Sequence, residues 1–252
     1  MNPNPIARAL STFLKYKVKS LLIGGQACIL YGAAEFSRDV DLAVMVSPAN
    51  MARIKKALEE LGAENIFVPD LSAEALGRGH ACHFRFPKGD PKGFRIDIIA
   101  KMRGVASFPV VWRNRKEVQL PEIGMVAVMG LEDLVRSKKT QRDKDWPMIR
   151  RLVESDIYTA APTPSDDKIR FWLAECRTPG LLLSLVTKFP QTAQSILKRR
   201  PLLQAAFVGK EEELQKELHE EEVLERKRDR NYWAPLRKDL ENWRRVSVQR
   251  NR

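Results

Sequence analysis

The chain has 252 residues and a formal net charge of +12, from 44 Lys and Arg against 32 Asp and Glu. Its 44% hydrophobic and 30% charged content is that of an ordinary globular protein and excludes the low-complexity classes. No apolar run reaches the roughly 18 to 20 residues that a bilayer span needs, so no membrane partner is expected.

Cys28, Cys82 and Cys176 are odd in number and far apart, with no CxxC pair, so neither a disulfide framework nor a zinc finger is expected. The opening MNPNPIARALSTFLKYK has no apolar signal core and no small-residue cleavage site, which predicts a cytoplasmic protein. The positive excess is concentrated in the first half and favours polyanions such as a nucleoside triphosphate or RNA.

The first half alternates strand-like and helix-like segments. Residues 19–23 are an apolar strand ending in Gly24-Gly25, and 26–34 suit a short helix. Residues 39–46 alternate and then turn apolar, as a buried strand does. Residues 48–61 have helical spacing, with Pro48 near the start and Gly62 past the end. Residues 79–87 and 93–100 read as two strands joined by the turn-rich KGDPKG, and short extended segments follow near 116–120 and 123–128.

From Leu131 the chain reads as helical, over 131–145 and 147–158. The Pro-containing TAAPTPSDD (159–167) is the best linker, so an α/β domain over 1–158 and a helical domain over 164–252 are expected. The second would hold several short helices, a long one near 209–230 with mixed charges at i,i+4 spacing, and a last one over 233–246. The fold class expected is α/β (α+β), a small mixed sheet with flanking helices followed by a helical C-terminal region.

The chemistry lies in the first half. Carboxylates at i and i+2 of one strand point to the same side of the sheet, as Asp39 and Asp41 would, with Val40 on the buried face. Asp97 is flanked by apolar residues in FRIDII and would complete an acidic cluster from a neighbouring strand; the alternative is a strand residue in an ion pair with Arg95 or Arg85. Oxygen ligands of this kind suit Mg²⁺, which neutralises phosphate charge and activates an attacking oxygen. Upstream, Gly24-Gly25 follows a strand and lets backbone approach a phosphate closely.

Ile23-Gly24-Gly25, thirteen residues, then Asp39-Val40-Asp41-Leu42 resembles the first motif of the polymerase-β-like nucleotidyltransferases, and Asp97 is similar to their third aspartate. The likeness covers roughly residues 18–155. It implies transfer of a nucleoside monophosphate from a nucleoside triphosphate, ATP among them, to a hydroxyl or phosphate acceptor. Asp39, Asp41 and Asp97 would bind two Mg²⁺ ions, with Mn²⁺ as a substitute, and Asp97 would help deprotonate the acceptor. Gly24, Gly25, Ser37 and Arg38 would line the nucleotide site, Ser37 standing two residues before the first aspartate as in many members.

Within the superfamily the chain is most similar to the small bacterial AbiEii-type enzymes. That implies a triphosphate contact from Lys138, support from Arg142 or Lys144, and an orienting role for Asp145. It also implies RNA, tRNA or protein acceptors and a toxin–antitoxin or phage-defence role. The oligomeric state is not readable. The alternative is a catalytically silent nucleotidyltransferase-like binding or antitoxin module.

Two other features have ordinary readings. In His80-Ala81-Cys82-His83 a strand would split the histidines between faces, a poor geometry for one metal, so they are expected beside the sheet. Tyr232, Trp233 and Trp243 could stack on a base, but helix packing accounts for them.

Overall fold

The computed structural model describes residues 4–34, 36–87 and 93–250, with only the backbone described over 246–250. Most of the expected KGDPKG turn (88–92) lies outside the described residues. Spatial contacts gather the chain into two units that interleave along the sequence, unlike the linear boundary drawn from composition. One comprises 1–30, 34–137 and 232–252; the other comprises 31–33 and 138–231.

The first unit is built on a seven-stranded mixed sheet. Its strands are β1 (Ser20–Ile23), β2 (Asp39–Val44), β3 (Glu64–Asn65), β4 (Cys82–Phe86), β5 (Phe94–Ile99), β6 (Lys116–Leu120) and β7 (Gly124–Val128). They lie in the order β3-β4-β5-β2-β1-β7-β6. The pairs β2–β5 and β1–β7 are parallel and the others antiparallel.

Four helices of this unit are α1 (Pro5–Lys15), α2 (Gly24–Leu30), α3 (Pro48–Leu61) and α4 (Ala73–Arg78). Two more are α5 (Phe108–Arg113) and α6 (Leu131–Ser137). Leu21, Leu22, Val40, Leu42, Ile96 and Ile98 form the centre of the core, each no more than 2% exposed.

Local chemistry sets several boundaries. The Ser47 Oγ accepts the N–H of Asn50 at 3.3 Å to open α3, and Gly62 closes it in the left-handed region at φ 62°. Asn50 is buried and fully used. Its Oδ1 accepts from Lys19 N at 2.7 Å, and its Nδ2 donates to Lys19 O (3.1 Å) and Met45 O (2.8 Å), which locks the entry of β1 to the exit of β2.

Some expectations need correction. The helix expected over 26–34 runs over Gly24–Leu30, because the left-handed Gly32 (φ 73°) prevents continuation. The helix expected over 131–145 ends at Ser137, because Lys138, Thr140 and Arg142 turn their side chains onto Asp145 instead. The helices α1, α4 and α5 and the two-residue β3 were not anticipated.

The second unit is helical, with α7 (Asp145–Tyr158), α8 (Asp166–Glu175), α9 (Pro179–Lys188), α10 (Pro190–Ile196) and α11 (Leu203–Val208). It also contains the start of α12 (Glu211–Arg250). Its core includes Leu173, Leu182, Leu203 and Leu214, all 0% exposed. The two helices expected over 209–230 and 233–246 are therefore one, with Pro235 inside it.

An interior proline removes a hydrogen bond and costs about 3 kcal/mol. Contacts of the following segment, within the first unit, offset that loss. Asp239 pairs with Arg78, the Trp243 ring packs tilted against His80 at 4.5 Å between centroids, and Leu236 is buried. Tyr232, Trp233 and Trp243 thus serve packing in part: Tyr232 and Trp233 meet edge to face at 5.4 Å. No helix among the described residues is long and apolar enough to cross a membrane.

Candidate active site

Alternation along three adjacent strands sorts the residues onto two faces. Val40, Leu42, Ile96, Ile98, Cys82, Phe84 and Phe86 are buried on one. The other carries Asp39 and Asp41 from β2, Arg95 and Asp97 from β5, and His83 and Arg85 from β4, all partly exposed.

The register aligns them in two rows. Asp41 stands directly opposite Asp97, and Asp97 opposite His83; one step along, Asp39 faces Arg95, and Arg95 faces Arg85. Residues opposite one another in a ladder have Cβ atoms only about 4.5–5.5 Å apart. Three carboxylates distant in sequence therefore share one small patch.

The patch is strongly polarised. Arg95 Nη2 donates to both oxygens of Asp97, at 3.1 and 2.8 Å, and His83 Nδ1 lies 2.9 Å from Asp97 Oδ1. An Nδ1–H donating to the carboxylate leaves Nε2 as the free acceptor of His83. The 3.5 Å separation of Arg95 Nη2 from His83 Nδ1 is too long to add a useful bond.

Burial pushes the Asp97 carboxyl up, but His83 and Arg95 outweigh burial and hold it below its ordinary value. Burial lowers Arg95, and Asp97, then Asp39 and Asp41, more than reverse that. Arg95 is thus the ion-pair partner of Asp97, and the charges of Asp39 and Asp41 also favour its ionised form.

The glycine bend is shaped to the same cluster. Gly24 has φ +66°, and a Cβ there would lie 1.8 Å from Asp41 Oδ2 and 2.5 Å from its Cγ. A Cβ on Gly25 would lie 2.4 Å from Ser37 Oγ. Each glycine therefore makes room for one predicted site side chain. Ser37 Oγ also donates to Asp39 O at 3.3 Å, and Gln26 Nε2 holds Ser37 O at 3.1 Å. Arg38 is exposed, its guanidinium 5.6 Å from the centroid of the exposed Phe36 ring.

Lys138 and Arg142 lie in the second unit. There Lys138 Nζ (3.3 Å), Thr140 Oγ1 (2.5 Å) and Arg142 Nε (2.7 Å) all donate to Asp145, which orients this group. Lys138 is only 7% exposed. Lys139 instead pairs with Glu175 at 2.6 Å.

An oxygen-rich set of three carboxylates fits a hard cation such as Mg²⁺. A cation already stands among them, the Arg95 guanidinium. In this arrangement no three His, Cys, Asp or Glu among the described residues form a group able to hold a metal ion. Arg95 and His83 occupy the oxygens of Asp97.

The pairing of Asp97 with Arg95 is the ion pair that the sequence offered as the alternative to a metal ligand, and His83 lies beside the sheet as expected, but its contact with Asp97 was not anticipated. The alternation in FRID was the available signal for Arg95, since it puts Arg95 on the face of Asp97, whereas His83 and Arg85 reach that face through the pairing of β4 with β5.

No family model matches this chain, and no curated protein matches it. Among solved structures, it is similar to a candidate nucleotidyltransferase from H. pylori, with a TM-score of 0.42 and 16% identity over 89% of this chain and 93% of that one. It is also similar to JHP933 from Helicobacter pylori, with a TM-score of 0.40 and 15% identity over 92% and 93% of the two chains. Likenesses this distant decide nothing about activity.

Proposed function

We propose that the chain is a metal-dependent nucleotidyltransferase that moves a nucleoside monophosphate from a nucleoside triphosphate to a hydroxyl or phosphate acceptor. The observation that carries this reading is the register that sets Asp41 beside Asp97, with Asp39 on the same face, next to a glycine bend cut to fit Asp41. Asp39, Asp41 and Asp97 would hold Mg²⁺, or Mn²⁺ in its place. The bound metal would supply charge neutralisation at the phosphates and activation of the attacking oxygen.

The chain's own groups have distinct tasks. Asp97 is kept ionised by His83 and Arg95, the state in which it can take a proton from an acceptor hydroxyl. Gly24 and Gly25 present backbone without a Cβ, so phosphate oxygens can approach their N–H groups. Ser37 and Arg38 border this bend. The net charge of +12 favours RNA, tRNA included, as acceptor over a neutral small molecule. AbiEii-type kinship and a toxin–antitoxin or defence role belong to this proposal and rest on the motif alone.

Arg95 on both oxygens of Asp97 favours a second reading, a silent module in which the guanidinium is a permanent counter-ion. Labelled nucleoside triphosphates, Mg²⁺ and total RNA or cell protein separate the two. The enzyme reading expects label on a macromolecule and a loss of about a thousandfold or more in Asp41→Asn, as removal of several kcal/mol of charge stabilisation requires. Equal signal in wild type and Asp41→Asn, or none with any of the four nucleotides, rejects it.

A further inference from the structure

Arginine is a strange choice at position 95. It stands directly opposite Asp39 on one side and Arg85 on the other, so two guanidinium groups are cross-strand neighbours on β4 and β5. Like charges directly opposite each other are destabilising. Both Nε atoms are buried without a hydrogen-bond partner, and each unmet donor costs about 1–3 kcal/mol. Asp97 satisfies Arg95 only through Nη2. Two adjacent cations with unused donors, beside three carboxylates, are arranged for something not supplied by the protein.

We propose that Arg95 is an exchangeable counter-ion: it leaves Asp97 when a divalent cation binds and then, with Arg85 across the strand pair, receives a phosphate group. The proposal rests on the metal-dependent reading above and deepens it by naming the residues that couple cation and phosphate. A guanidinium and a divalent cation compete for the same carboxylate oxygens, so cation binding alone is opposed by Arg95. A phosphate offers the displaced fork a bidentate partner, the geometry arginine meets best. Cation and phosphate should therefore bind with positive coupling, each raising the affinity for the other by the same factor.

The test is Mn²⁺ binding to the full chain, read by paramagnetic resonance of free Mn²⁺, for wild type, Arg95→Gln, Arg95→Lys and Arg85→Gln, with thermal melts to show folding. Each is measured alone, with inorganic tripolyphosphate, and with orthophosphate.

Arg95→Gln should bind Mn²⁺ alone about tenfold more tightly, the scale of one charge-assisted contact, and lose the enhancement by phosphate. Arg95→Lys, which keeps the charge without the fork, should lie between. Arg85→Gln should leave Mn²⁺ affinity near wild type while losing the phosphate enhancement. Loss confined to tripolyphosphate assigns the arginines to the nucleotide tail, and equal loss with orthophosphate assigns them to a single acceptor phosphate. Wild type binding Mn²⁺ with Arg95→Gln unchanged or weaker overturns the proposal and leaves the metal reading standing. Equal tightening in Arg85→Gln and Arg95→Gln also overturns it, as a bulk charge effect. No Mn²⁺ binding by any form, with or without phosphate, overturns both.

Discussion

Arg177 and Arg200, in the second unit, are 7% and 4% exposed and close on one acid, Glu221, at 2.7 and 3.0 Å. Arg177 Nη2 also donates to the backbone oxygen of Leu218 (2.5 Å) and Arg200 Nη1 to that of Leu173 (2.8 Å). In the first unit, Arg95 faces three acids, keeps a third of its side chain exposed and leaves Nε without a partner. Both clusters mix arginine with carboxylate, but one is closed and the other is open. A satisfied, buried cluster fixes a structure, whereas excess acid with an under-used cation on an exposed strand face is a place where ligands exchange.

The largest effect that would sharpen this contrast is in the closed cluster. Glu221→Gln leaves two buried guanidinium groups against a neutral amide, and breaking a buried pair by one partner costs about 3–5 kcal/mol. Glu221 is itself 31% exposed, so water compensates in part and a loss of about 3 kcal/mol in denaturant unfolding is expected. By contrast, removing Asp41 from the open cluster should change unfolding little. If Glu221→Gln is neutral, the closed cluster is not structural and the contrast breaks.

The next effect separates strain from site damage. Gly24 and Gly62 both have positive φ, +66° and +62°, but only Gly24 has a side chain, Asp41, where a Cβ would go. Gly62→Ala should cost about 1 kcal/mol, the left-handed penalty alone. Gly24→Ala should cost about 1–3 kcal/mol and also displace Asp41, so Mn²⁺ binding is lost with it. Equal stability loss and intact Mn²⁺ binding in both variants would show that the bend does not support the carboxylate.

Much of this was legible in the sequence, for identifiable reasons. Alternation in DVDLAV and apolar flanks around Asp97 announced strands with acids on one face, and Pro48 and Gly62 bracketed α3. What was not legible depended on neighbours in space. Nothing local in CHFRF says that His83 will lie opposite Asp97, because strand order is a tertiary property. The joining of the two expected C-terminal helices into one was also not legible, because contacts of Asp239 and Trp243 carry α12 onward past Pro235. Likewise the helical spacing of 131–145 gave way to side chains converging on Asp145.

The smallest predicted effect concerns that convergence. Burial pushes Asp145 up, but the charges of Lys138 and Arg142 and the hydrogen bonds from Thr140 and Arg142 outweigh it and hold the carboxyl below its ordinary value. A folded-state pKa below the unfolded one, about 3.9, means that the unfolded chain binds the proton first. The resulting stability is fully present above that unfolded value and is lost as pH falls through the folded one. Arg142 is 55% exposed, so Arg142→Gln should cost only about 1 kcal/mol or less at neutral pH. That difference should shrink towards zero in unfolding curves taken at successively lower pH, as the pH falls through the lowered folded-state value and Asp145 becomes protonated in either protein. A difference that stays constant with pH would mean that Arg142 contributes by packing its stem rather than by holding the carboxylate ionised.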